Sequence, residues 1–190
     1  MSEDNQEQQA PVVINTPEEY LENVLRTFST ENCDARKVDP VPLLRYLTGV
    51  IRSGDKLDAI KKELAYLPLE KAKDYTFNWT HKTGVKNKID SNILHCLLGI
   101  ITEAAEVATL LHKYIETGSF DAVNALEESG DLDFYQAALD CITEQSQQKR
   151  WIKNINKLRA RFPSKFSSEK AYNRDLEAER KILEEGMEDA

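Results

Sequence analysis

Two acidic pairs interrupt stretches that are otherwise apolar: Glu103-Ala104-Ala105-Glu106, and Glu127-Glu128-Ser129-Gly130-Asp131. Residues three apart share one face of a helix, so Glu103 with Glu106, and Glu128 with Asp131, each set two carboxylates side by side. Glu106 lies about twelve residues before Gly118 and Asp131 about thirteen after it, so at about 1.5 Å per residue the pairs reach similar heights if the chain turns back there. Four carboxylates at one level between packed helices repel one another, and a divalent cation is the usual compensation. An all-oxygen set without Cys or His favours Mg²⁺, with Mn²⁺ as the alternative, over Zn²⁺. A ferritin-like di-iron site needs Glu-x-x-His motifs, which are absent. An HD-type phosphohydrolase needs an adjacent His-Asp pair, which His81, His95 and His112 do not provide.

The elements that must position these groups are helices. After Asp90, an N-cap, the residues Ile93, Leu94, Leu97, Leu98, Ile101, Ala104, Ala105, Ala108, Leu111 and Ile115 mark a long helix closed at Gly118. A second long helix is expected from about Phe120 to Ser146, with Val123, Leu126, Leu132, Tyr135, Leu139 and Ile142 as its apolar face, and the short turn requires the two to pack antiparallel. Small residues in the acidic segments, Ala and Gly, are expected to let these two helices approach. Upstream, Thr16-Pro17-Glu18-Glu19 starts a helix of about three turns marked by Leu21, Val24, Leu25 and Phe28. Asp39-Pro40 opens another, expected to end at Gly54, and Leu57, Ile60 and Leu64 mark a third that closes near Pro68. Residues 69 to 88 lose the pattern and read as a connector holding Tyr75, Phe77 and Trp79. Downstream, a helix is expected from Gln147 to Arg161, stopped by Phe162-Pro163, and a charged one from Ser167 or Ser168 towards Glu185.

The expected class is all-α, with residues 1–15 a polar tail and 16–190 one domain. Scarce turn formers, 7 Gly and 6 Pro in 190 residues, argue against a many-stranded sandwich. A net charge of −8 works against a broad nucleic-acid or anionic-membrane surface. No uninterrupted apolar run reaches the ~18 residues that suggest a span, and the acidic start differs from a signal peptide, so a soluble, cytoplasmic protein is expected. Cys33, Cys96 and Cys141 are odd in number and lack Cys-x-x-Cys spacing, which suits reduced, mostly buried thiols.

The acidic motifs carry a resemblance. Glu-x-x-Glu at Glu103 and Glu106, followed by Glu-x-x-Asp at Glu128 and Asp131, with Leu94-His95, Leu98-Gly99 and Phe134-Tyr135 around them, resembles the all-α nucleoside triphosphate pyrophosphohydrolases of the MazG-like group, relatives of the all-α dUTPases. Thr102 stands where many members carry a further Glu. Residues 90–176 carry the match, Asn154 to Pro163 looks like the C-terminal segment of the phage and bacterial subgroup, and 31–89 reads as a helical insertion. The resemblance implies a MazG-like helical bundle whose carboxylate-lined metal site lies between two long antiparallel helices. Its implied activity is Mg²⁺-dependent hydrolysis of a nucleoside or deoxynucleoside triphosphate to the monophosphate and pyrophosphate, by a homodimer or homotetramer.

Under that resemblance Glu103, Glu106, Glu128 and Asp131 are the metal ligands, with Glu103 a candidate proton acceptor. Asn154, Lys157 and Arg161 fall on one helix face and offer a donor and two cations to a polyphosphate, the two cations stabilising charge on the leaving group. Lys113, His95 and Trp79 are further candidates for substrate contact, Trp79 as part of an aromatic lid. Two rivals remain open at this point. One is a dUTP or dCTP specialist of the same superfamily; the other is a helical regulatory or binding protein that keeps the fold without turnover.

Overall fold

The computed structural model describes residues 13–28, 34–73 and 89–185, and among them every regular element is helical. In chain order the α-helices are α1 (Pro17–Thr27), α2 (Pro40–Tyr66), α3 (Ser91–Thr117), α4 (Ala122–Ile142), α5 (Gln147–Arg161), α6 (Ser168–Tyr172) and α7 (Leu176–Glu184), with 3-10 turns at Ala35–Lys37 and Leu69–Lys71. They divide into two compact units: a contiguous one within 35–144, and a split one drawn from 1–34 and 145–190.

In the contiguous unit, α2 starts with Pro40 in its first turn behind Asp39, whose carboxylate accepts from the Val41 amide at 2.9 Å. It ends at Leu67, held extended before Pro68. The helix break expected at Gly54 does not occur; one helix replaces the two. Gly54 is buried in mid-helix, where an added Cβ would stand 2.2 Å from Ala105 Cβ on α3. The missing side chain therefore marks a close contact between helices, which tertiary packing can favour over the ~1 kcal/mol that glycine costs a helix.

Helix α3 is capped by Asp90, which accepts from the amides of Asn92 and Ile93, and ends at Gly118 with φ of 70°. Asp121 then caps α4 by accepting from Asn124. The short turn packs α3 on α4, while α2 packs on α3 as well, so α3 is the central helix of this unit. By length and composition α3 passes for a membrane span, with a mean hydropathy of 1.6 over its most apolar 18 residues. Averaging across polar interruptions is what the search for an unbroken apolar run missed. Helices α2 and α4 pack on it, and 39% of that window is buried.

Helix α4 is shorter than expected, stopping at Ile142 before Glu144 takes a left-handed φ of 54°. Its apolar face is also only partly turned inward, since Val123 and Leu126 are 79% and 76% exposed in the single chain. Small residues near the acidic pairs act differently from expectation too. Ala105 meets α2 through Gly54, and a Cβ on Gly130 would touch nothing within 4 Å.

The split unit brings α1 to α5. Ile14 and Ile155 are fully buried among Tyr20, Val24, Trp151, Ile152 and Leu158, and Tyr20 stacks on Trp151 with ring centroids 4.6 Å apart. Thr16 caps α1 as expected, accepting from Glu19, and Ser146 caps α5 by accepting from Lys149. The single C-terminal helix expected from the sequence is instead two, α6 and α7, parted at 173–175 where Asp175 caps the second.

Candidate metal centre

The contiguous unit gathers Glu103 from α3 with Glu128 and Asp131 from α4, one carboxylate oxygen of each lying within 4.8 Å of the others. The i, i+3 spacing puts Glu128 and Asp131 on one face of α4, and the turn at Gly118 brings that face to α3. Glu106 stands outside this trio and is exposed, yet its charge is among those felt by Glu128.

Glu128 is the residue under strain. It is 8% exposed, and among the described residues no hydrogen bond or cation serves its carboxylate. Burial raises its carboxyl above the ordinary range, and the negative charges of Glu106, Glu127, Glu103 and Asp131 raise it further. A buried carboxylate without a partner, aimed at two others, is the donor set a hard divalent cation fits, and Glu103, Glu128 and Asp131 supply only oxygen.

Glu103 is differently placed, because a lysine from α2 reaches it. Lys61 Nζ donates to Glu103 Oε1 at 2.9 Å and to Thr102 Oγ1 at 2.8 Å, and pairs with Asp58 at 3.2 Å. The ammonium also lies 5.0 Å from the centroid of the Tyr135 ring on α4. Burial alone disfavours this charge, but the bonds to Glu103 and Asp58 outweigh it and hold Lys61 protonated. Tyr135 is fixed in turn: a Cβ on Gly99 would stand 2.2 Å from its ring, and His95 meets it edge-on at 5.8 Å.

The remaining candidates are dispersed. His95 packs beside Tyr135 with its Nε2 buried and, among the described residues, without a hydrogen-bond partner. Lys113 lies about two helical turns beyond Glu106 and pairs at 3.6 Å with Asp121 at the α3–α4 turn. Asn154, Lys157 and Arg161 all belong to α5 of the split unit, where Asn154 lines an open cleft of about 430 Å³ beside Tyr20, Trp151 and Leu183. Arg161 is engaged by Glu179 of α7 through two bonds, Nε to Oε1 at 2.8 Å and Nη2 to Oε2 at 2.6 Å. Arg174 joins the same carboxylate at 2.7 Å, and the two guanidiniums hold the Glu179 carboxyl down to about 2. Trp79 lies outside the described residues, as do Tyr75 and Phe77.

Sequence reasoning missed Lys61, although a signal was present. Lys61 falls four residues after the half-buried Leu57, a lysine on the same helix face as an apolar residue that marks the helix. Residues 31–89, read as an insertion, thus supply the one cation found on the carboxylate trio among the described residues. No family model matches the chain, and neither a curated relative nor a solved structure does.

Proposed function

We propose that the protein is a Mg²⁺-dependent nucleoside triphosphate pyrophosphohydrolase of the MazG-like kind, with Glu103, Glu128 and Asp131 as metal ligands. The observation that carries this is the buried Glu128, without a hydrogen bond or cation among the described residues, with its carboxylate within 4.8 Å of two others. When bound there, the metal neutralises phosphate oxygens and makes a coordinated water more acidic. Glu103, Glu128 and Asp131 fix the ion by converging from two helices locked by a short turn. Glu103 Oε1 already accepts from the Lys61 ammonium at 2.9 Å. We assign the proton acceptor's role to Glu106, which is solvent-facing and outside the trio. In the overall step water adds to phosphorus, its proton passes to the Glu106 carboxylate, and the bond to pyrophosphate breaks.

Assembly belongs to the same proposal. Val123, Leu126 and Phe134 leave large apolar surfaces of α4 open, at 79%, 76% and 66% exposure, and a second copy of the chain would cover them in a homodimer or homotetramer. The same proposal makes it a cytoplasmic enzyme, and the acidic net charge supports a protein that binds neither nucleic acid nor a membrane surface.

The test is to incubate the purified protein with Mg²⁺ and an equal mixture of ribo- and deoxynucleoside triphosphates, dUTP and dCTP included, following all products by mass spectrometry. Monophosphate and pyrophosphate from one or several triphosphates are expected. Turnover of dUTP or dCTP alone identifies a specialist. No turnover with Mg²⁺ or Mn²⁺ rejects the hydrolase and leaves the helical binding protein.

A further inference from the structure

We propose that Lys61 is a built-in cation of the carboxylate site and limits it to one divalent ion per chain in the substrate-free protein. This rests on reading Glu103, Glu128 and Asp131 as metal ligands, and it concerns how many ions that set accepts. Lys61 is 6% exposed, and its Nζ has three acceptors, Thr102 Oγ1, Glu103 Oε1 and Asp58 Oδ1, at 2.8, 2.9 and 3.2 Å. An ammonium has three protons, so every donor is used. The Tyr135 ring closes one more side, and that ring is itself hemmed by Gly99 and His95. Lys61 is therefore held in place on α2 rather than resting there.

Two consequences follow for a metal. Glu103 Oε1 accepts from the Lys61 ammonium at 2.9 Å, while the Thr102 hydroxyl proton is nearer to the Gly99 carbonyl at 2.9 Å, so the other oxygen of Glu103 is the one clear of the lysine for coordination. A second ion about 3.5–4 Å from the first would have to share these few carboxylates with the Lys61 ammonium. Charge acts in the same direction. Asp58 is matched by Lys62 at 2.5 Å, so the charge of Lys61 offsets Glu103, the carboxylate that a second ion would have to share with the lysine. A second divalent ion must approach that fixed ammonium, and like charges at such a distance repel.

The experiment counts ions. Mn²⁺ binding to the full chain, without nucleotide, is followed by electron paramagnetic resonance of the free ion and by calorimetry, on the wild type and on Lys61→Met. One Mn²⁺ is expected in the wild type. In Lys61→Met a second equivalent is expected, with the first bound about tenfold more tightly, the order that losing a nearby like charge gives. Two equivalents in the wild type, or a folded Lys61→Met that still takes one, overturns the proposal. The wild-type count stands without the variant, so a misfolded Lys61→Met does not protect the idea. Zero Mn²⁺ in the wild type has a different meaning: it removes the metal site itself, and this inference falls with it.

Discussion

Gly54 on α2 and Ala105 on α3 meet where neither helix has room for another carbon: a Cβ at position 54 would sit 2.2 Å from Ala105 Cβ. That contact lies within two turns of Lys61 on one helix and two residues from Glu103 on the other, so the approach of α2 is part of how the lysine reaches the carboxylate.

Substituting the two interior glycines of α2 separates packing from propensity. Gly54→Ala is expected to lower stability by about 2 kcal/mol through overpacking. Gly49→Ala, whose Cβ would meet nothing within 4 Å, is expected to raise it by about 0.5–1 kcal/mol. Urea denaturation monitored by circular dichroism reads both, and equal effects of one sign would contradict the proposed helix contact.

Glu128→Gln tests the unpartnered carboxylate. Without divalent ions the variant is expected to melt at a higher temperature than the wild type, because a buried charge facing like charges is gone. With Mg²⁺ the order is expected to reverse, since only the wild type gains binding energy. Triphosphate hydrolysis is expected to fall by about a hundredfold or more, as loss of a ligand should cost at least as much as loss of its supporting partners. Scanning calorimetry at several Mg²⁺ concentrations checks the crossover.

The Arg161–Glu179–Arg174 cluster gives the split unit an acid limit. The Glu179 carboxyl lies at about 2 in the fold, against 4.5 for the unperturbed group. Its folded value is the lower one, so the unfolded chain binds more protons across this window. The stabilisation is complete above about pH 4.5 and is lost as the pH falls towards 2. Glu179→Gln is expected to cost about 3 kcal/mol at neutral pH, by leaving Arg161 without its partner, and to flatten the loss of stability on acidification. Tryptophan fluorescence of Trp151, which sits on the split unit's core, follows the transition.

Arg161→Ala and Lys157→Ala, on one face of α5, are expected to part company. The first removes a guanidinium bonded twice to Glu179 and should unfold the split unit at lower urea. The second removes a half-buried lysine that pairs with no acid among the described residues and should shift the midpoint little. Denaturation curves of the two variants, compared at pH 7, decide whether Arg161 is held for structure.

The helices were legible in the sequence wherever a cap and a period coincided. Thr16, Asp39 and Asp90 cap the helices that their positions announce, whereas Ser146, read as the end of one helix, caps the next, and Gly118 ends α3 in the left-handed conformation that glycine permits. Gly54 misled because a glycine that ends a helix and one that lets two helices touch are identical in one dimension. The meeting of Glu103 with Glu128 and Asp131 followed from spacing and a short turn. Lys61 did not, because its partners are 41 and 42 residues away and depend on which face of α2 turns inward. Arg161 likewise reads as a free cation until Glu179, 18 residues on, folds back on it.

The split unit has a further consequence for how the chain is made. Gln148 reaches back to the Ile14 carbonyl across 134 residues, and Arg26 to the Ser164 carbonyl across 138. During synthesis α1 therefore emerges early but has no docking partner until α5 follows, while α2, α3 and α4 can close among themselves as soon as they leave the ribosome. Contacts of such long sequence separation form slowly. The apolar face of α1 is thus the surface that waits longest for cover, and the step that joins the two ends of the chain is the natural bottleneck of its maturation.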